Sequence, residues 1–154
     1  MMRKLALLGI AAGLLCAYPL SSYAQDKGTW RAASSTAAAI TGDLTISEDK
    51  ISINFTGFPM AQIRKLEPAE AGATFNADSP TAGSGNLYRL SVPASKRFLH
   101  HNTLCGTEVT QWMATYGVGR DLQVAFFSGA KMPVLTSEAL ANSTDLCGTF
   151  SYVR

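Results

Sequence analysis

Residues 104 to 107 read Leu-Cys-Gly-Thr, and residues 146 to 149 repeat the same four letters. Between the two copies, apolar and polar residues alternate, which is typical of β-strands. If Cys105 and Cys147 are joined, the last third of the chain becomes one covalently closed unit against which the rest must pack. A bond that closes a loop of this length stabilises a fold by about 4 kcal/mol. We therefore expect the fold to be organised around this pair.

The first 24 residues have the features of a secretory signal peptide. Two basic residues, Arg3 and Lys4, precede an apolar run over residues 5 to 15, and the sequence Ser22-Tyr23-Ala24 favours cleavage before Gln25. The predicted organisation is a signal peptide over residues 1 to 24 and a single β domain over residues 25 to 154. The domain is then periplasmic or secreted.

Two alternatives to a cleaved leader remain open. The apolar run falls short of the roughly 20 residues that span a bilayer, which disfavours an uncleaved anchor. Cys16 has the position of a lipid-attachment cysteine, but Leu15 before it is not small. With the leader cleaved, no membrane span is expected in the mature chain.

Removal of the leader changes the charge balance. The full chain carries 13 Lys and Arg against 11 Asp and Glu, and two of the basic residues lie in the leader. The mature domain is therefore formally neutral, which argues against nucleic acid as a partner. Only Cys105 and Cys147 remain, and an even pair in an exported protein favours a disulfide. A metal site built on these thiols needs further ligands at matching spacing, and the sequence has none.

A β-hairpin is predicted between residues 44 and 55. Leu44 and Ile46 alternate with polar residues before the tip Glu48-Asp49-Lys50, and Ile51, Ile53 and Phe55 alternate after it. The pattern places these five apolar side chains on one buried face.

Further strands are predicted over residues 87 to 92, 109 to 116, 122 to 127 and 148 to 154. We expect Gly57-Phe58-Pro59 to break a strand, and the residues from Pro68 to Gly72 to prevent a long helix. Residues 76 to 86 and 128 to 133 are predicted loops, and residues 137 to 141 a single helical turn. Many short strands without a long amphipathic helix predict an all-β fold, a small antiparallel β-barrel of about eight strands, with a β-sandwich as the alternative.

The sequence Gly28-Thr29-Trp30 resembles the opening of the calycin barrels, the lipocalin and avidin group. In that group a Gly-x-Trp opens the first strand, the tryptophan plugs one end of the barrel, and a basic residue near the last strand packs across it. The resemblance implies a structural contact between Trp30 and Arg154, and no ligand-binding residue carries over. Barrels of this kind commonly hold a small apolar ligand, although eight strands can also be filled by their own side chains.

No catalytic, metal-binding or cofactor-binding set emerges from the sequence. His100 and His101 are the only histidines, and adjacent residues on a strand point to opposite faces, which keeps them from converging on one metal or one proton. Trp112 and Tyr116 are expected either to fill the core or to line a pocket. The chain is thus predicted not to be an enzyme, although a role for the histidines in catalysis is a third possibility.

Two functional hypotheses follow. The first is an exported, non-enzymatic binding protein of the bacterial cell envelope that holds a small apolar ligand if the barrel is hollow. The second is a protein-binding inhibitor of a hydrolase such as lysozyme, which inserts the loop at residues 76 to 86 or at residues 128 to 133 into the enzyme's cleft.

Overall fold

Eight antiparallel strands close into a barrel in the computed structural model, which describes residues 26 to 154. Each strand pairs with the next along the chain, and the last pairs with the first. The strands are β1 Gly28–Ala32, β2 Leu44–Ile46, β3 Lys50–Ile53, β4 Thr56–Lys65, β5 Ser84–Val92, β6 Thr110–Val118, β7 Asp121–Phe127 and β8 Leu146–Val153. The predicted barrel is confirmed. The predicted leader and Cys16 lie outside the described residues.

The predicted disulfide is also confirmed, since Cys105 is bonded to Cys147. Cys105 lies in the connection between β5 and β6, and Cys147 lies near the start of β8. The bond therefore fastens a long inter-strand connection to the strand that closes the barrel.

Alternation along the strands produces two apolar clusters on opposite faces of the sheet. On β7, Leu122, Val124 and Phe126 point into an inner cluster, whereas Ala125 and Phe127 belong to an outer cluster. The inner cluster includes the four aliphatic residues of the predicted hairpin, and each is at most 2% exposed. The outer cluster needs a cover, because half of each strand's side chains otherwise face water.

Two short helices supply that cover, α2 Pro68–Phe75 and α3 Ser137–Ala141. The other helical segments are α1 Ser35–Ile40, whose Ala37 is buried in the inner cluster, and a 3₁₀ turn at Leu99–His101. Ala71 and Phe75 of α2 are buried in the outer cluster, and Leu140 of α3 packs against it. Among residues 26 to 154, no helix is long and apolar enough to cross a membrane.

Two local predictions were wrong in the segment from Ile53 to Pro59. Ile53 pairs with Thr56, so the chain reverses in two residues, and Phe55 stands at the tip of that turn instead of on the buried face. Gly57-Phe58-Pro59 continues β4 without a break. Pro59 is tolerated because it pairs with Lys50 at the end of the β3–β4 ladder, where proline has few strand partners to deprive of a hydrogen bond.

The helix α2 was missed because proline was taken only as a breaker. Pro68 stands at the start of the helix, where its fixed φ is favourable. Glu67 and Glu70 form a capping box, in which Glu70 Oε1 accepts a hydrogen bond from the Glu67 backbone nitrogen at 2.9 Å. The predicted loop at residues 76 to 86 is also shorter than expected, since residues 84 to 86 belong to β5.

The barrel has two distinct ends and one thin seam. In a sheet of this topology, the connections that follow odd-numbered strands share one end, here called the helix-α1 end, and the others share the opposite end, called the Trp30 end. The seam between β1 and β8 contains only two residue pairs, Arg31 with Val153 and Ala32 with Tyr152. The backbone carbonyl of Ser151 reinforces it by accepting hydrogen bonds from the nitrogens of Ala33 and Ser34.

Candidate functional site

Trp30 closes one end of the barrel interior. Its side chain is fully buried, and the guanidinium carbon of Arg154 lies 4.3 Å from its ring centroid. Arg154 Nη1 also donates a hydrogen bond to the Lys27 carbonyl at 2.9 Å. Gly28 has φ of +116°, and a Cβ there would lie 3.4 Å from the same guanidinium. The Gly-x-Trp sequence therefore places glycine at a position where the positive φ favours it and where the Arg154 guanidinium packs close to the backbone.

A buried carboxylate lies beside Trp30. Asp26 is 0% exposed, and its backbone carbonyl accepts a hydrogen bond from Trp30 Nε1 at 2.9 Å. Its Oδ2 accepts three more, from the Tyr88 hydroxyl at 2.6 Å, the Thr115 hydroxyl at 2.6 Å and Asn86 Nδ2 at 2.9 Å. Burial, and then the Asp26 carboxylate, raise the pKa of Tyr88, which keeps its hydroxyl a donor.

The second oxygen of this carboxylate is unsatisfied. Asp26 Oδ1 is buried and has no hydrogen-bond partner. A buried acceptor left without a donor costs about 1–3 kcal/mol, and more when it carries charge. All three donors to Oδ2 are neutral groups, so the carboxylate has no ion pair among residues 26 to 154, where the only salt bridge joins Arg64 to Glu70.

The barrel interior is otherwise filled by side chains. Phe126 and Phe150 meet edge to face with ring centroids 5.4 Å apart. Tyr152 places its hydroxyl 2.6 Å from Thr41 Oγ1, and its burial raises the pKa of the phenol. Since these aromatic side chains are at most 2% exposed, the space for a ligand must be sought outside the barrel.

A groove of about 380 Å³ lies on the outer surface of β6, β7 and β8. We call it the outer groove. One wall is the connection between α2 and β5, and the other is formed by β6, β7 and β8, mostly through residues on the outer face of these strands. Its lining is Ala33, Ala77, Asp78, Ser79, Ala82, Tyr116, Val118, Asp121, Leu122, Gln123, Ser151, Tyr152 and Val153.

Tyr116 holds the α2–β5 wall of this groove in place through its ring and its hydroxyl. The hydroxyl donates to the Ser79 carbonyl at 2.9 Å and accepts from the Gly83 nitrogen at 3.2 Å. The ring stacks on Phe75 with centroids 6.2 Å apart. A Cβ at Gly83 would lie 2.2 Å from the Gly117 carbonyl oxygen, so only glycine allows the connection to lie this close to β6.

Trp112 is in the same outer cluster but at a different place. Its Nε1 donates to the Gly129 carbonyl at 3.2 Å, and the Arg89 guanidinium carbon lies 4.7 Å from its ring centroid. Trp112 thus fastens the connection after β7, whereas Tyr116 lines the outer groove. The two residues singled out for a possible pocket share a face, and only Tyr116 lines this groove.

The helix-α1 end of the barrel, opposite the Trp30 end, contains most of the non-glycine residues with positive φ. Among the described residues, five non-glycine residues have positive φ, and four of them are at the helix-α1 end: Asn54, Phe55, His100 and His101. Phe55 combines φ of 65° with a fully exposed side chain at 102%. A bulky residue in this conformation is uncommon and costs about 1–2 kcal/mol. Such outliers gather at functional sites more often than elsewhere.

His100 and His101 occupy an exposed turn rather than a strand, so the argument from strand alternation does not apply to them. In the part of the chain that the structure describes, no group of three or more His, Cys, Asp or Glu side chains is placed to hold a metal ion.

Comparison with known proteins does not assign the chain to a family. No protein-family model matches the chain, and no significant match was found among curated proteins or among solved structures.

Sequence reasoning overlooked two features of these sites. Asp26 is the second residue after the predicted cleavage site, where a charged residue is usually taken as solvated, and only the fold shows that it is buried. Asn54 and Phe55 form a two-residue hairpin turn. The usual sequence signal for such a turn is Asn-Gly, and the turn was missed because phenylalanine stands in the place of the glycine.

Proposed function

We propose that this chain is an exported, non-enzymatic binding protein of the bacterial cell envelope, and that it holds a small and largely apolar molecule in the outer groove. The observation that carries the proposal is the volume of that groove, about 380 Å³, which falls within the range of about 300–1,000 Å³ typical of small-molecule sites. The disulfide supports an oxidising compartment such as the periplasm.

The chemistry of the groove fits an apolar ligand with a polar edge. Its walls present Ala33, Ala82, Val118 and Val153, and the phenol of Tyr116 is engaged with the neighbouring backbone. The lining also includes the polar side chains of Asp78, Ser79, Asp121, Gln123 and Ser151, which are available to fix the orientation of an apolar body.

Native mass measurement of protein purified from its own envelope tests this proposal, because a retained molecule appears as added mass. Ser151→Phe places a ring in the groove, whereas Thr149→Phe adds the same ring to the outer face of β8, away from the groove lining. We expect Ser151→Phe to reduce the retained fraction about tenfold, which corresponds to about 1.4 kcal/mol, and Thr149→Phe to leave it unchanged. Equal retention by both variants would place the ligand elsewhere.

The second candidate function, a protein-binding inhibitor of a hydrolase such as lysozyme, is favoured by the exposed apolar side chains at the helix-α1 end. Phe55 is fully exposed there, and Met132 and Val134, in the connection after β7, are 43% and 64% exposed. The predicted loop at residues 128 to 133 belongs to this end, while the loop after Asn76 is fastened to Tyr116 and lines the groove. Rigid aromatic anchors of this kind supply a large share of binding energy in protein interfaces.

One segment of this end carries charge that suits an acidic cleft, whereas the rest of this end brings the acidic residues Asp43, Glu108, Glu138 and Asp145. Residues 93 to 104 contain Lys96, Arg97, His100 and His101 and no acidic residue. Glycosidase clefts contain a pair of carboxyl groups that flank the scissile bond. Electrostatic complementarity of this kind favours association and orients the partners.

A lysozyme inhibition assay tests this candidate with point variants. Deleting residues 76 to 86 is unsuitable, since Asn86 binds Asp26 inside the barrel. Phe55→Ala removes the exposed ring, and Ile63→Ala, which is 44% exposed near the Trp30 end, is the matched control. Inhibition that weakens about tenfold in Phe55→Ala alone supports the role of this end, and full enzyme activity with the unaltered protein rejects inhibition of lysozyme.

The relation to the calycin barrels remains a proposal as well. It is supported by the eight-stranded closure, by Gly28-Thr29-Trp30 on β1, and by the Arg154 guanidinium over Trp30.

A further inference from the structure

We propose that the outer face of β1, β2 and β3 binds one neutral sugar ring of an oligosaccharide, and that the sugar stacks on the ring of Phe55. This face is separate from the outer groove, so the inference goes beyond the proposed apolar ligand and does not depend on it.

The outer face of the first three strands lacks the cover that the later strands have. The strand residues of the outer cluster come from β5 to β8, and α2 and α3 pack there. On β1, β2 and β3 the corresponding positions are Thr29, Thr45 and Ser52, which stand directly opposite one another in the strand register. Since neighbouring strands are about 4.8 Å apart, their hydroxyl groups form a row across this face.

A groove of about 230 Å³ lies over this row, and we call it the β1–β3 groove. Its lining is Thr29, Asp43, Leu44, Thr45, Ser52, Asn54 and Phe55. The fully exposed ring of Phe55 thus borders a floor of hydroxyl groups. The volume is below the roughly 300 Å³ at which sites for whole small molecules begin. The groove therefore suits one ring of a longer molecule whose remainder stays in solvent.

Two neighbouring side chains of the groove offer unused hydrogen-bonding groups. The backbones of Asp43 and Asn54 are joined by a hydrogen bond from the Asn54 nitrogen to the Asp43 carbonyl at 3.4 Å. Asp43 Oδ1 accepts from the Ala32 nitrogen at 2.9 Å, while within residues 26 to 154 no hydrogen bond engages Oδ2 or the Asn54 amide. The carboxylate is an acceptor and the amide is both donor and acceptor. Adjacent hydroxyls of a sugar need this combination, because each hydroxyl both donates and accepts.

Charge and polarity narrow the class of ligand. Asp43 is the only charged residue of the lining, and its carboxylate repels an anionic ligand. The basic residues Arg31 and Lys50 lie two positions along β1 and β3 from the row of hydroxyls and do not line the groove. A wholly apolar ligand would leave polar groups of the groove without partners.

A sugar ring meets both demands of the groove. Its hydroxyls lie at its rim, where they reach polar side chains, and its C–H groups form an apolar face. That face packs on an aromatic ring, whose own face carries partial negative charge. Phe55 keeps an exposed ring at a φ of 65° that favours glycine, and such outliers gather at functional sites. Stacking of a ligand accounts for a bulky residue at this position.

NMR titration of the ¹⁵N-labelled protein tests the proposal with three neutral probes: cellohexaose, maltohexaose and N-acetylchitohexaose. We expect at least one of them to bind with a Kd of about 1 mM or lower, and its amide shifts to fall on the residues of the β1–β3 groove. Failure of all three to bind, or shifts at the outer groove instead, would overturn the inference without touching the apolar ligand proposed there.

Substitutions of Phe55 separate stacking from general apolar contact. Phe55→Trp and Phe55→Leu both keep a Cβ in the left-handed conformation, but only tryptophan keeps an aromatic face. We expect the affinity of Phe55→Trp to stay within about threefold of the original and that of Phe55→Leu to fall about tenfold. Val134→Ala is the control, because Val134 is 64% exposed at the same end and does not line the groove. Its affinity should be unchanged.

Two further results would contradict the assignment. Equal affinities of Phe55→Trp and Phe55→Leu would show that any apolar side chain suffices and that no sugar stacks there. Inhibition of lysozyme that depends on Phe55, in a protein that binds none of the three sugars, would assign this surface to a protein partner.

Discussion

Replacing Phe55 by glycine should stabilise the barrel, although it removes a large apolar side chain. Phe55 is fully exposed, so its removal forfeits almost no buried area. Its φ of 65° costs a side-chain-bearing residue about 1–2 kcal/mol, and glycine adopts this conformation without that penalty. Glycine loses more backbone entropy on folding, by about 0.5–1 kcal/mol. The net gain is therefore about 0.5–1 kcal/mol.

The assay is urea unfolding followed by circular dichroism, together with thermal melting. A gain of this size raises Tm by about 2–4 °C in a domain of this length. Phe55→Ala is the matched control, because it removes the same exposed ring but keeps a Cβ in the left-handed conformation, and we expect its stability to stay within about 0.5 kcal/mol of the original. Destabilisation by Phe55→Gly would mean that the ring makes contacts within the folded protein, and the argument for an exposed anchor would fail.

Three further perturbations test the framework. The double variant Cys105→Ser, Cys147→Ser should lose up to about 4 kcal/mol of unfolding free energy in urea, and an unchanged midpoint would show that the bond adds nothing to the non-covalent contacts. Glu70→Gln should lose about 0.5–1 kcal/mol at pH 7, because the hydrogen bonds from Arg64 hold the pKa of Glu70 below its ordinary value and the pair is partly exposed. A lowered folded-state pKa gives stability that is present above the unfolded pKa and lost as pH falls through the folded one, so the difference between original and variant should shrink below about pH 4.5; a difference that is constant from pH 7 to pH 3 contradicts this. Gly28→Ala should cost about 1–3 kcal/mol in the same urea experiment because of its φ of +116°, and a neutral result would show that the first strand relaxes freely.

The fold was largely predictable because its strands obey a simple rule. Leu44, Ile46, Ile51 and Ile53 alternate with polar residues, and burying one face of such a pattern leaves a single register. The disulfide was predictable because only two cysteines follow the predicted leader. Neither inference required knowledge of distant contacts.

The sites were less predictable, because their meaning depends on contacts that are distant in sequence. Asp26 binds Thr115, and Gly83 approaches Gly117, across separations that no local pattern records. The burial of Tyr116 was foreseen as one of two options, but its hydroxyl partners on the α2–β5 connection were not. At Phe55 the two-residue turn imposes a left-handed backbone conformation, and this overrides the preference of phenylalanine for strands.

The short pairing between the first and the last strand affects how the protein behaves at high protein concentration. Only two residue pairs join these strands, so this is where a closed sheet opens most easily. An opened molecule exposes the unpaired edges of β1 and β8. Two such molecules can pair these edges by exchanging their first strands, which forms a dimer. Protein refolded at high concentration should therefore contain a fraction of exchanged dimers, visible by size-exclusion chromatography, and dilution before refolding should abolish it.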